Sequence, residues 1–177
     1  MTANPGSLLA IAGKTCTGLR TVVTWLVFGF FSYMGIAVLT QVVGRYVFNY
    51  SIDWAAETAT FAQVWMILLA AGLAMQKNLH VSVDVLTGVM PASVLRVLIV
   101  VVGVPCLWFL WHAIVGSLAL IDIGRIQTSP VLQIPMWIPY LSLPIGLSYF
   151  GLELILMLVA RWKDPHGLAN RTGTPAT

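Results

Sequence analysis

The sequence predicts an all-α membrane protein with four transmembrane helices and both termini in the cytoplasm, and three observations predict it. Of the 177 residues, 59% are hydrophobic and 8% are charged, whereas a soluble domain carries about 25% of its residues as Asp, Glu, Lys or Arg. The apolar residues form four continuous runs, near residues 21–43, 54–75, 94–121 and 134–160, each long enough for the ~20-residue helix that crosses hydrocarbon. Such runs exclude a membrane β-barrel, whose strands alternate over about 10 residues, and nothing outside them is long enough to bury a separate soluble core. The basic residues are also uneven. Lys14, Arg20, Lys77, Arg96, Arg161, Lys163 and Arg171 fall on the side that holds both termini, and only Arg45 and Arg125 fall on the other. The positive-inside bias therefore places both termini in the cytoplasm. The net charge of +3 is accounted for by this topology and calls for no nucleic-acid partner.

Residues 1–20 contain Pro5, Gly6, Gly13 and Gly18 around a weak apolar patch, Leu8 to Ala12, and read as a cytoplasmic lead-in. No small-residue cleavage site interrupts the run that follows, so the first helix is expected to be an uncleaved signal anchor. An outer loop from Gly44 to Asp53 then leads to the second helix, which Ser51 or Asp53 can cap. Glu57 lies in the first turn, where the helix dipole favours a carboxylate, and Arg45 is near enough in sequence to balance Asp53 and Glu57.

The next segment, Leu79 to Leu86, alternates apolar and polar residues as a strand does. A lone strand edge is unsatisfied in a bilayer, so this segment is expected to lie along the cytoplasmic membrane surface, either extended or as a short interfacial helix over residues 79–90. Pro91 stands just ahead of the third helix, where a missing N–H costs nothing. The third and fourth runs exceed the hydrocarbon thickness and imply tilt. Pro105, Pro139 and Pro144 kink these spans, and Trp54, Trp137 and Trp162 sit at span ends as interfacial anchors do. Domain organisation is thus a cytoplasmic segment (1–20), a four-helix transmembrane domain (21–162) and a disordered cytoplasmic tail (163–177), the last rich in Gly, Thr and Pro without apolar periodicity.

Ionisable groups at membrane depth are costly and are therefore functional candidates. His112 and Glu153 qualify. Glu153 lies about two turns from the cytoplasmic end of its span, with no second carboxylate at that depth to build an ion site, which favours a structural hydrogen bond or an Arg or Lys supplied by a partner. His112 would need a matched axial ligand to hold haem, and the other histidines, His80 and His166, fall in a loop and the tail. Cys16 and Cys106 are far apart and outside any metal-ligand spacing. No phosphate loop, HExxH or nucleophile elbow is present, so the chain reads as a non-enzyme without a metal or cofactor of its own. Ala55, Ala59, Ala62, Ala70, Ala71, Gly72 and Ala74 thin the second helix for close approach by another helix, in this chain or a partner. Two alternatives come from other classes: a four-helix haem- or quinone-associated redox subunit using His80 and His112, and a small self-sufficient exporter or channel.

The most specific text is the ordered set Arg45, Phe48, Ser51, Trp54, Glu57, Trp65, His80 and Asp84. With the later Ser129-Pro130, Ile134-Pro135-Met136-Trp137 and Leu143-Pro144-Ile145-Gly146, it resembles the small membrane subunit of tripartite ATP-independent periplasmic (TRAP) transporters, the DctQ-like family, over roughly residues 20 to 162. The chain departs from the family pattern in having Ala56-Glu57 and Thr60 where members carry two adjacent acids and an Arg a turn later. The resemblance implies a non-catalytic subunit in the bacterial inner membrane that braces a large multi-span subunit and adds surface for a periplasmic binding protein. In the family, the large subunit handles sodium and moves an organic acid, and a bound phospholipid is the only other ligand allowed for. The interface candidates are Arg45, Ser51, Trp54, Glu57 and Trp65 from the resemblance and Asp53, Asp122 and Arg125 from the outer loops, with His80 and Asp84 as candidates in the cytoplasmic loop.

Overall fold

The computed structural model describes residues 5–76 and 91–163. These form helices α1 (Pro5–Val47), α2 (Asp53–Gln76), α3 (Ala92–Gly124), the short α4 (Trp137–Tyr140) and α5 (Ser142–Lys163). Among the described residues there is no strand beyond one isolated bridge between Thr128 and Pro135. The expected interfacial segment, with His80 and Asp84, and the tail beyond Lys163 lie outside the described residues.

Four stretches are long and apolar enough to cross a membrane: Cys16–Val47, Asp53–Met75, Ser93–Gly124 and Trp137–Trp162. The fourth joins α4 to α5. Pro144 has no N–H to return to the Tyr140 carbonyl, which interrupts the helical ladder there. The Leu141 amide still donates to the Trp137 carbonyl at 3.0 Å and the Ile145 amide to the Leu141 carbonyl at 3.4 Å, so the rod continues across the break. Pro91 caps α3 in extended conformation, and α3 runs on through Pro105.

α1 has 43 residues, a length of about 64 Å, roughly twice the hydrocarbon core. The apolar run begins at Thr21, but the helix begins at Pro5, a residue whose fixed φ suits the first helical turn. Arg20 is therefore part of a continuous helix, where the sequence reading left it at the end of a lead-in segment.

The helices pack as a row, α1 on α2, α2 on α5 and α5 on α3. Ala55 and Ala59 of α2 meet Ala37 of α1, with Met34 and Ile52 alongside. Val23, Leu69 and Tyr149 join α1, α2 and α5, and Met75, Leu110 and Leu154 join α2, α3 and α5. Glycines set the closest approaches. A Cβ on Gly72 would lie 2.4 Å from the Tyr149 ring, and one on Gly146 would lie 2.5 Å from the Leu68 Cβ. The small residues of the second span are thus used at least in part within this chain. Because lipid tails are as apolar as leucine, packing of this kind holds membrane helices together where no hydrophobic drive exists.

A row leaves its end helices open. Trp25, Phe28, Phe31, Ile36 and Leu39 are exposed on α1, and Val97, Val101, Val104, Trp108 and Trp111 are exposed at three- and four-residue spacing on α3. In a membrane these faces meet lipid or another protein.

Candidate functional site

Two loops form one end of the molecule. The first, between α1 and α2, turns through Asn49, whose φ of 49° is left-handed, a conformation Asn tolerates. The Tyr50 amide donates back to the Gly44 carbonyl at 2.9 Å, and a side chain on Gly44 would collide with Ile52. Here Tyr46, Phe48, Tyr50 and Trp54 all stand exposed.

The second loop, residues 125–136, is a compact hairpin. The Ser129 amide donates to the Ile134 carbonyl and the Met136 amide to the Gln127 carbonyl, both at 2.9 Å. Gln133 occupies the left-handed region at φ 55°, and its amide donates to the Pro130 carbonyl at 3.0 Å. Gly124 lets the hairpin close on the fourth span, because a Cβ there would lie 2.8 Å from the Trp137 nitrogen.

Glu57 ties the two regions together. Its Oε2 accepts the Leu132 amide at 2.9 Å, across 75 residues of sequence. The acid in the first turn of α2 is Asp53; Glu57, expected there from the sequence, lies one turn further in and serves as the acceptor for the hairpin. Asp53 accepts the Ser51 hydroxyl, so these two side chains satisfy each other. Among the described residues, no ion pair joins Arg45 to Asp53 or Glu57, which differs from the balance expected from sequence: Asp53 is engaged by Ser51 and Glu57 by the hairpin. Arg125 and Asp122 approach at 3.9 Å with both side chains mostly exposed, a contact worth at most a fraction of a kcal/mol, on the order of 0.5.

Trp65 is partly buried and stacked on Phe30 of α1, centroids 6.1 Å apart. Both line an open apolar groove between α1 and α2 of about 520 Å³, with Trp25, Tyr33 and Phe61. Trp54, Trp65 and Glu57, grouped by sequence order, therefore have different surroundings: Trp54 is exposed at the start of α2, Trp65 packs between helices, and Glu57 anchors the hairpin.

Away from the loops, the structure brings together two residues that sequence reasoning treated separately. Arg20 Nε donates to Glu153 Oε1 at 2.8 Å and Arg20 Nη2 to Oε2 at 2.7 Å. Glu153 is 1% exposed and the Arg20 side chain 30%. The basic group that the sequence leaves to a partner is thus Arg20 of this same chain. One signal could have found it: with both termini on one side, the start of the first span and the last turns of the fourth share a depth. His112 lies on the outside of the row, exposed, its ring set edge-on to that of Trp108 with the centroids 4.7 Å apart. Among the described residues no group of three His, Cys, Asp or Glu side chains is placed to hold a metal.

Residues 34–164 match the family model for the DctQ component of tripartite ATP-independent periplasmic transporters. The chain belongs to this family. It is 30% identical over 149 residues to the C4-dicarboxylate TRAP transporter small permease protein DctQ of Vibrio cholerae serotype O1, covering 70% of this chain and 64% of that one. It is 30% identical over 127 residues to a putative TRAP transporter small permease protein of Haemophilus influenzae, covering 72% and 73%. It is 33% identical over 107 residues to the isethionate TRAP transporter permease protein DctMQ of Oleidesulfovibrio alaskensis, covering 59% of this chain but 16% of that longer one. The match spans 64% of the Vibrio relative and 16% of the Oleidesulfovibrio one, less than two thirds of each, and 73% of the Haemophilus one. The resemblance carried by Arg45, Trp54, Glu57 and Trp65 is borne out, as is a multi-pass, all-helical membrane fold.

Proposed function

We propose that this DctQ-family chain is the small membrane subunit of a sodium-driven tripartite importer of an organic acid in a bacterial inner membrane. Its helix row enlarges the static scaffold of a large multi-span subunit, with both termini cytoplasmic and the two loops facing a periplasmic binding protein. The observation that carries this reading is the use of charge at depth. Glu153, the one buried carboxylate among the described residues, is held by Arg20 of the same chain and fastens α1 to α5. A carboxylate so paired is a fastener rather than an ion ligand, so transport chemistry belongs to another subunit.

The match within the much longer DctMQ permease supports a large membrane partner, since in that protein the region resembling this chain is part of a bigger polypeptide. The basic-residue bias supports the orientation, and exposed Tyr46, Phe48, Tyr50 and Trp54 beside Arg45 supply the aromatic and cationic chemistry common at protein interfaces.

Reconstitution into vesicles tests the proposal. With a sodium gradient, uptake of the acid should need this chain, the large subunit and the binding protein together. Reversing the charge at Arg45, Asp53 or Arg125 should weaken docking or assembly while leaving substrate preference unchanged. Uptake by this chain alone, or a haem band in its visible spectrum, would overturn the scaffold reading.

A further inference from the structure

The middle of α2 carries a polar side chain that its own fold leaves unused. Gln63 is ten residues into the Asp53–Met75 crossing, about 15 Å along the helix and close to the midplane of a ~30 Å core. It is exposed, on the outside of the row, with exposed Thr60 and Ile67 one turn to either side. The Thr60 hydroxyl is satisfied, donating to the Ala56 carbonyl at 2.9 Å. Gln63 makes no hydrogen bond among the described residues, although a primary amide has two donors and an acceptor oxygen.

Facing hydrocarbon at this depth, that amide would meet nothing it can bond, and each unsatisfied polar group there is costly. Snorkelling offers no escape, because a Gln side chain cannot span the distance from the midplane to either surface. A neighbouring helix that presents a backbone carbonyl or polar side chain at this level would satisfy it, which is how uncharged polar residues join helices in membranes. The other open faces, on α1 and α3, are mostly large apolar and aromatic side chains that lipid solvates well, with His112 of α3 set against the ring of Trp108.

We infer that the Thr60–Gln63–Ile67 face of α2 is the surface against which a transmembrane helix of the large subunit packs, with the Gln63 amide hydrogen-bonded into that helix. The inference rests on the scaffold reading above and goes beyond it by assigning the face and the contact. The occupant is a helix of a larger membrane polypeptide, as supported by the match inside the longer DctMQ permease.

The test uses the intact complex in native membranes, first asking whether the large subunit co-purifies with the wild-type chain. If it does not, the scaffold reading itself falls. Given co-purification, a photo-crosslinking amino acid at Ile67 should yield an adduct with the large subunit. Gln63→Leu should weaken retention of that subunit in detergent by roughly three- to seventeenfold, the factors that correspond to the average and the largest coupling measured for hydrogen bonds between membrane helices. The isolated Gln63→Leu chain should be at least as resistant to thermal aggregation as wild type, which separates lost assembly from lost folding. The inference is overturned if Ile67 gives no protein adduct or an adduct only with a second copy of this chain, or if Gln63→Leu retains the large subunit fully.

Discussion

Arg20 and Glu153 stand 133 residues apart in sequence and meet through two parallel hydrogen bonds that close one end of the helix row. The pair joins α1, at one edge of the row, to α5 in its interior. Its geometry is the bidentate fork that Arg makes with a carboxylate and Lys cannot reproduce.

Removing one partner should cost more than removing both. Arg20→Met strands a carboxylate that is 1% exposed, a loss of about 3 kcal/mol by the usual cost of breaking a buried pair. Glu153→Gln should cost less, because the Arg20 side chain is 30% exposed and reaches solvent or headgroups. The Arg20→Met, Glu153→Leu double variant should recover most of the loss. Thermal unfolding of the four chains in detergent measures the cycle, and a double variant as unstable as the sum of the singles would show that the pair is not a unit.

Glu57 should control the order of the hairpin. Glu57→Ala removes the acceptor for the Leu132 amide, a charge-assisted bond worth about 1.5 kcal/mol or more. Exchange of the Leu132 amide hydrogen should then quicken about tenfold. Glu57→Gln, which keeps an acceptor oxygen, should fall between. Unchanged exchange in Glu57→Ala would mean that the hairpin stands on its internal bonds alone.

Gly72 of α2 and Gly116 of α3 should respond in opposite ways to alanine. Gly72→Ala forces a methyl group into the Tyr149 ring and should destabilise by about 1–3 kcal/mol, as overpacking does. Tyr149→Leu should relieve part of that cost in the same chain. Gly116, whose Cβ would meet nothing within 4 Å, should accept alanine with no loss, or with the small gain expected from helix propensity. Equal melting temperatures for Gly72→Ala and wild type would mean that α2 and α5 are not packed at this distance.

The proposed orientation is open to labelling. In a background with Cys16 and Cys106 replaced, Ile126→Cys in the hairpin should react with a membrane-impermeant maleimide added outside spheroplasts, since Ile126 is 88% exposed. Reaction only after the membrane is breached would invert the topology.

The fold class was legible because its cause is compositional. Hydrocarbon demands backbone hydrogen bonds within each segment and tolerates few charges, so four long apolar runs could only be four helices. The family was legible too, through Arg45, Trp54, Glu57 and Trp65 in order. The partners of these residues were not. Glu57 looked complete as a first-turn acid and proved to hold Leu132, and Arg45 looked like its counter-charge and does not touch it. Arg20 marks a boundary in the sequence, because the apolar run starts one residue later, but it lies within a helix that starts at Pro5.

By itself, then, the sequence determined that this chain forms four helices long and apolar enough to cross a membrane, and which family it joins. These follow from local properties, namely hydropathy over a run of residues and identity at matched positions. Only the tertiary structure decided the order α1, α2, α5, α3, the fastening of Arg20 to Glu153, and which polar groups remain unspent on the outside. Those depend on the rotation of each helix about its axis. In a uniformly apolar helix almost nothing in the sequence fixes that rotation, so it is set by where glycines such as Gly72 and Gly146 let neighbours approach.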